Sequence, residues 1–493
     1  MLIGNSSVKK LNNFWNGCVF HPTDAVEDPW GKRILDRMSE DGAIRTVRIY
    51  TMFEDIVYLD EYGNLKFDFR VSDLRIDYLV DRGYDILLAY AGIPDCIALT
   101  TANKTTAAKG KTRYKGKMWN TSPPRDMKLW ENICYEYTKH NVERYGIETV
   151  KKWRCQCFNE PDIATFFLSE LPRDAVEARL VEYCKMYEAF QNGVRRVSED
   201  ISIGGPALAH RHPFLGGFLD YVKDNGLKLD FISVHNYGTS PKMLNDGSRP
   251  FCADSVVMKQ EEYFNTVCAH GFGDTSMIVD EWGMASAGFY NHEECPELME
   301  RETELFSAYF VKLIRKLIDT GLKIEQLMIC LSGQHEMTED FSGFRNFFTL
   351  NFIAKPIYNA YILASMLGDE LLETDNSNGD VYVIPTKTQK DGYAVLLSYS
   401  SDNFDKNVDE IEETIEFSES IKGRTVKIWC IDGETTNPYR LYQKMNTVTP
   451  NADELRLLRQ EGKLLPTQEY VSDGENGVRL RLTANCTYLI TVN

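Results

Sequence analysis

Two glutamates stand where short apolar runs give way to polar residues. One lies in Phe158-Asn159-Glu160-Pro161-Asp162, the other in Val279-Asp280-Glu281-Trp282-Gly283. Two facing carboxyl groups are the equipment for hydrolysing a glycosidic bond. One must be protonated to release the leaving oxygen, and the other must be ionised to attack the anomeric carbon. A pair about 5–5.5 Å apart retains anomeric configuration, and a wider pair inverts it. In a chain with 73 acidic residues, either glutamate alone could be an ordinary strand-end carboxylate facing water. What separates the two readings is the set of elements that carries them.

Eight short apolar runs punctuate the first three quarters of the chain: 17–20, 44–50, 85–91, 150–158, 201–206, 229–235, 276–279 and 326–331. Amphipathic stretches such as 126–145 and 176–199 lie between them, with apolar residues three and four apart. Eight strands alternating with helices predict a (β/α)8 TIM barrel over residues 1–367. A doubly wound sheet is the alternative, weakened because no Gly-rich phosphate loop follows the first run. In the barrel, Glu160 ends the fourth strand and Glu281 the seventh, on opposite sides of the mouth where such folds collect function. After Leu367-Gly368 the texture changes. Asn-Gly and Asp-Gly turn signals separate runs at 381–384, 393–399, 426–431, 478–482 and 487–492. They predict a C-terminal β-sandwich over 368–493 with no cluster of titratable residues.

Composition narrows the partners. The 55 Lys+Arg against 73 Asp+Glu leave a net charge of −18, which disfavours nucleic acid and anionic membranes. No window approaches 18 uninterrupted apolar residues, and the first residues lack the apolar run of a secretory signal. Twelve cysteines at irregular spacing, with no CxxC pair, suggest a reducing cytoplasm. Cys155 and Cys157, two apart on one strand, read better as packing than as ligands. Eight histidines without an HExxH spacing imply no metal and no cofactor. The expected partner is a carbohydrate substrate, and self-association into a homo-oligomer stays open.

The chain resembles glycoside hydrolase family 39 over about residues 10–370. The resemblance rests on an ordered series: Ser122-Pro-Pro-Arg-Asp before Trp130, Arg144-Tyr-Gly-Ile-Glu-Thr-Val150, and Trp153 leading to Asn159-Glu-Pro161. Gly204-Gly-Pro-Ala207, Phe231-Ile-Ser-Val-His-Asn-Tyr237, Glu281-Trp282 and Lys355-Pro-Ile-Tyr358 continue it. It implies a retaining exo-glycosidase that hydrolyses short oligosaccharides or glycosides by double displacement, with β-xylosidase as the default. A β-glucosidase, β-galactosidase, arabinosidase or uronidase is the alternative within the family. A sugar-binding barrel without turnover is the rival outside catalysis. By resemblance Glu160 is the acid/base and Glu281 the nucleophile. Asn159 is the clan asparagine for the sugar 2-hydroxyl, Tyr237 donates to the nucleophile, and His235 belongs to the substrate pocket. Arg48 keeps the nucleophile ionised, and Glu336 lines up with an acidic sugar-binding residue. Trp282, beside Glu281, is expected at the sugar site, and Trp119 either stacks on a sugar or packs.

Three positions depart from the family's β-xylosidases. Tyr50 stands where they carry a histidine, Ser286 where they carry a tyrosine, and Leu331-Ser-Gly-Gln-His-Glu336 where they carry a Trp-containing segment. Residues 101–117 hold Lys104, Lys109, Lys111, Arg113, Lys115 and Lys117 with no acid. They read as a solvated insertion or as a cover favouring an anionic glycoside.

Overall fold

The computed structural model describes the chain except residues 22–24, 106–118, 287–289, 333–336, 338, 377, 390, 401–409 and 475. The eight apolar runs become eight parallel strands: Gly17–Phe20, Thr46–Tyr50, Asp85–Tyr90, Arg154–Cys157, Ser202–Leu208, Phe231–Thr239, Ser276–Ala285 and Ile324–Cys330. They close into a barrel in chain order, the first strand pairing with both the second and the eighth. Alternation along each strand sorts side chains between helices and lumen. In the second strand Val47 and Ile49 join the core shared with the helices. Arg48 and Tyr50 point inward and meet residues of the fourth and seventh strands.

The lumen changes character along its axis. On the sixth and seventh strands Phe231 and Ile278 point inward and cluster with Leu87 and Met328 into an apolar layer. Ser233 and Asp280 follow, then His235 and Glu281, all buried. A packed apolar layer under a polar one excludes water from below, so the polar groups must satisfy one another.

The C-terminal module is one hydrogen-bonded nine-stranded mixed sheet that curls over its own core, as in a β-sandwich. Tyr393 and Phe417, on strands that are not neighbours in the sheet, meet with ring centroids 4.9 Å apart. Strand Leu2–Lys10 also belongs to this sheet, pairing antiparallel with Glu370–Thr374 and parallel with Ile411–Phe417. This corrects the assignment of the whole of 1–367 to the barrel. Only Ile3 of Leu2–Lys10 enters the module's core, so the segment carries little hydrophobic signal and is held mainly by backbone pairing.

The sheet's other face packs against helix Glu304–Thr320, where Arg315 donates to the Val383 carbonyl at 2.8 Å. That helix starts at Thr303, whose hydroxyl accepts from Leu305 N–H, and ends at left-handed Gly321. Two helices, Pro438–Met445 and Ala452–Glu461, leave the sheet. Their Tyr439, Tyr442 and Leu458 cluster with Phe341 and Ile353 of the segment after the eighth strand. Cys155 and Cys157 are buried in the core, and all twelve cysteines are free thiols.

Candidate active site

A β-bulge brings the seventh strand's chemistry into the lumen. Val234 is level with Val279, yet His235 is level with Glu281, so Asp280 is an extra residue. Strict alternation from inward Ile278 would place Asp280 inward and Glu281 outward. With the bulge, both carboxylates face the lumen and Trp282 turns to the helices. The fourth strand ends differently. Phe158 and Glu160 adopt φ of 64° and 46°, a left-handed conformation unusual for residues with a Cβ. Glu160 N–H donates to the Ala207 carbonyl at 3.0 Å. The Asp162 carboxylate accepts from the backbone N–H groups of Ala209, His210 and Arg211 at 2.8–3.0 Å. These bonds tie the loop of Glu160 to the loop after the fifth strand.

Glu281 is held at both oxygens. Oε1 accepts from Arg48 at 2.9 Å and from the Tyr50 hydroxyl at 3.0 Å. Oε2 accepts from the Tyr237 hydroxyl at 2.8 Å. Arg48 is wholly buried and also donates to Asn159 Oδ1 at 2.7 Å and Gln156 Oε1 at 2.9 Å. Asn159 Oδ1 is thereby occupied, leaving its Nδ2 amide without a protein partner among the described residues and able to donate to a ligand. His235 Nδ1 lies 2.8 Å from Glu160 Oε1, and the Glu160 side chain keeps 16% of its surface open.

The two carboxyl groups are driven apart electrostatically. Burial favours the neutral form of both. At Glu281 the nearby His235, Arg48 and Arg345 charges and the Tyr237 hydroxyl outweigh burial and lower its pKa to about 2. At Glu160 burial prevails over the His235 contact, the charge of Glu281 adds to it, and the pKa is raised. For His235 burial acts against protonation, but Glu281, Asp280 and Glu160 overcome it and raise the pKa to about 10. The result is an ionised carboxylate facing a carboxyl that tends to keep its proton.

Asn159, Glu160, His235, Tyr237, Arg48 and Glu281 therefore meet in one network. Trp119 stands edge-on to Tyr50, ring centroids 5.3 Å apart, and is 3% exposed, so it packs the wall behind Tyr50. Trp282 does not line the site, which corrects that expectation. Its ring is 0% exposed and stacks on Phe310, and its Nε1 donates to Tyr361, because the bulge points the residue after Glu281 outward. Glu336 and the basic run at 106–117 lie outside the described residues; Lys104 pairs with Asp95 at 2.5 Å.

Four participants were not singled out from sequence: Tyr50 as a donor, Gln156, Asp280 and Arg345. Gln156 bridges Arg48, Ser233 and Asp280. Arg345 donates to the Tyr237 hydroxyl at 2.8 Å from the segment after the eighth strand. Asp280 and Gln156 did sit beside singled-out residues, but alternation gave no reason to turn both Asp280 and Glu281 inward. Tyr50→Phe is expected to lower kcat/KM by about ten- to a hundredfold, since a hydrogen bond to a charged group is worth about 1.5–3 kcal/mol. The acidic limb of the pH–rate profile should move up as Glu281 loses a donor; an unmoved limb would assign Tyr50 to packing.

Ligand atoms of Glu160, His235 and Glu281 lie within 4.8 Å of one another, close enough to hold an ion. An ion there would displace the His235–Glu160 contact and sit beside Arg48, so the donor set suits proton chemistry better than a cation.

A closed parallel barrel with two carboxyl groups of opposed ionisation at its carboxyl end has the equipment of a glycosidase. The chain belongs to Glycosyl hydrolases family 39, whose family model matches residues 1–474. It is 24% identical over 457 residues to a beta-xylosidase of Caldicellulosiruptor saccharolyticus, covering 89% of this chain and 86% of that one. It is also 24% identical over 504 residues to a beta-xylosidase of Geobacillus stearothermophilus, covering 98% and 93%. A monomeric beta-xylosidase from Caulobacter crescentus shares the fold with a TM-score of 0.82 at 18% identity, covering 100% of this chain and 99% of that one. Among the described residues no helix is long and apolar enough to cross a membrane.

Proposed function

We propose that the protein is a retaining exo-glycosidase acting on short oligosaccharides or glycosides, with β-xylosidase the first activity to test. The observation that carries this reading is the carboxyl pair. One oxygen of Glu160 and one of Glu281 lie within 4.8 Å of each other, which supports the close carboxyl spacing of retaining enzymes, roughly 5–5.5 Å, over the wider spacing that admits an inverting water. Glu281, ionised and gripped at both oxygens, is the nucleophile. Glu160 donates a proton to the leaving oxygen and then takes one from the water that cleaves the glycosyl-enzyme. Asn159, its Oδ1 held by Arg48, offers Nδ2 to the sugar hydroxyl next to the anomeric carbon. The relatives named beta-xylosidase support the pentose, at an identity where the chemistry carries over better than the sugar. The free cysteines fit a reducing compartment, and a cytoplasmic location is part of the same proposal.

A panel of nitrophenyl glycosides, with the product anomer followed by NMR, tests the reading. Turnover with retained configuration is expected. An inverted first product removes the nucleophilic role of Glu281, and inertness on every glycoside favours a binding barrel.

The pH–rate profile is expected to be bell-shaped. Glu281 works ionised, so the rate falls as pH drops toward its depressed pKa. Glu160 works protonated in the first step, so the rate falls as pH rises through its elevated pKa. The upper limb reports the coupled Glu160–His235 pair. Glu160→Gln should abolish it; a surviving limb would point to another acid.

A further inference from the structure

We propose that Asp280 is a positioning residue for Glu160, acting through His235: it is the anion that keeps His235 an imidazolium after Glu281 has become an ester. The proposal rests on the retaining reading above.

The His235 ring is fully buried between carboxylates. Nδ1 lies 2.8 Å from Glu160 Oε1 and 3.6 Å from Glu281 Oε2, and Nε2 lies 3.5 Å from Asp280 Oδ2. Neither Nε2 nor Asp280 Oδ1 has a hydrogen-bond partner among the described residues, so the Asp280 contact is electrostatic. Other charged or titratable groups approach from each side. Arg48, of the second strand, is 3.2 Å from Asp280 Oδ2, and Gln156 donates to the same oxygen at 2.7 Å. From helix Ala253–Ala269, Lys259 and Tyr263 reach the His235 carbonyl at 3.3 and 3.4 Å. Tyr237, backed by Arg345, binds that same Oε2 of Glu281. A nitrogen lone pair aimed at a carboxylate is repelled, so with carboxylates at both nitrogens the ring holds both protons.

Catalysis alters this balance. In the free enzyme the ring is flanked by Asp280, Glu281 and, when ionised, Glu160. Formation of the glycosyl-enzyme turns Glu281 into a neutral ester and leaves Glu160 a carboxylate, since its proton has gone to the leaving group. The second step needs Glu160 anionic, with Oε1 held by His235 Nδ1–H and Oε2 open to water's proton. Asp280, wholly buried, remains charged throughout and opposes proton transfer from Nδ1 to Glu160 Oε1. Without that charge the proton moves to Oε1, the pair becomes neutral, and Glu160 cannot act as a base. Deglycosylation then slows while glycosylation continues.

The test is Asp280→Asn, which keeps the shape and can still accept from Gln156. On a dinitrophenyl glycoside of a sugar the wild type turns over, a burst of dinitrophenolate followed by a steady rate about tenfold lower is expected. Independently of turnover, 15N NMR of the free enzyme should show His235 as imidazolium at pH 7 in the wild type. Its titration should fall by about one pH unit or more in the variant. His235→Gln should show the same burst, and adding Asp280→Asn to it should cost nothing further; His235→Gln alone and the wild-type spectrum decide the matter if Asp280→Asn misfolds. An unchanged steady rate and titration, a neutral wild-type His235, or movement of the acidic limb alone would overturn the proposal. The last result would mean that Asp280 acts on Glu281 through Arg48. An inverted product from the wild type would instead overturn the retaining reading itself.

Discussion

Glu281→Gln is expected to keep less than about 1% of wild-type turnover on every glycoside, whatever the leaving group. The amide matches the carboxylate in size but has no anionic oxygen to form the ester. The loss should be the same for good and poor leaving groups, because the missing bond is to the anomeric carbon. The substitution also leaves Arg48 and His235 facing one less anion inside the barrel, and removing one partner of a buried ion pair is costly. Asp280 at 3.2 Å and Asn159 at 2.7 Å still hold Arg48, so the fold should persist with a lowered melting temperature. Circular dichroism and thermal melts separate unfolding from chemical loss. A folded variant retaining several per cent of the wild-type rate would show that some other group attacks the sugar.

Glu160→Ala should lose activity by a different route. Dinitrophenolate departs with little proton assistance, so the first step should survive on that substrate. On an alkyl glycoside or an oligosaccharide, where the leaving oxygen needs its proton, the first step should fall by about 10²–10⁴-fold. Deglycosylation should slow on all substrates because no base activates water. Azide, small and already anionic, fits the space left by the carboxyl and should restore turnover on the activated substrate. The glycosyl azide should carry the substrate's configuration, since two inversions have occurred. Equal losses on good and poor leaving groups, or an azide product of inverted configuration, would remove Glu160 from the role. Together the two variants assign each step to one carboxyl group.

The barrel was legible because its strands are short apolar runs set apart by helices with helical spacing, and both patterns are local. The fit is close where burial and pairing coincide: 17–20 and 393–399 are the observed strands, and 85–91 overshoots by one residue. It fails where pairing does not need apolar residues. Leu2–Lys10 is held by backbone bonds to strands more than 350 residues away and carries Asn5, Ser6 and Ser7 among exposed positions. Gln468–Val471 is exposed along its length and pairs on one side only, so it shows no alternation to read.

Within the site, the sequence by itself determined which chemistry was available. Glu160 and Glu281 at the ends of the fourth and seventh runs follow from the order of the runs and the barrel's carboxyl-end rule, while Arg48, His235 and Tyr237 came from the family resemblance. The tertiary structure decided which groups touch and in what ionisation. A one-residue bulge, set by the register between the sixth and seventh strands, turns Asp280 and Glu281 inward together and sends Trp282 out to Phe310. The opposed ionisation of the two glutamates depends on distances among side chains from the second, fourth, sixth, seventh and eighth strands and the loops that follow them. Coulomb interactions in a buried site fall off over a few ångströms, and residues separated by up to 297 positions, from Arg48 to Arg345, reach that range only once the barrel has closed.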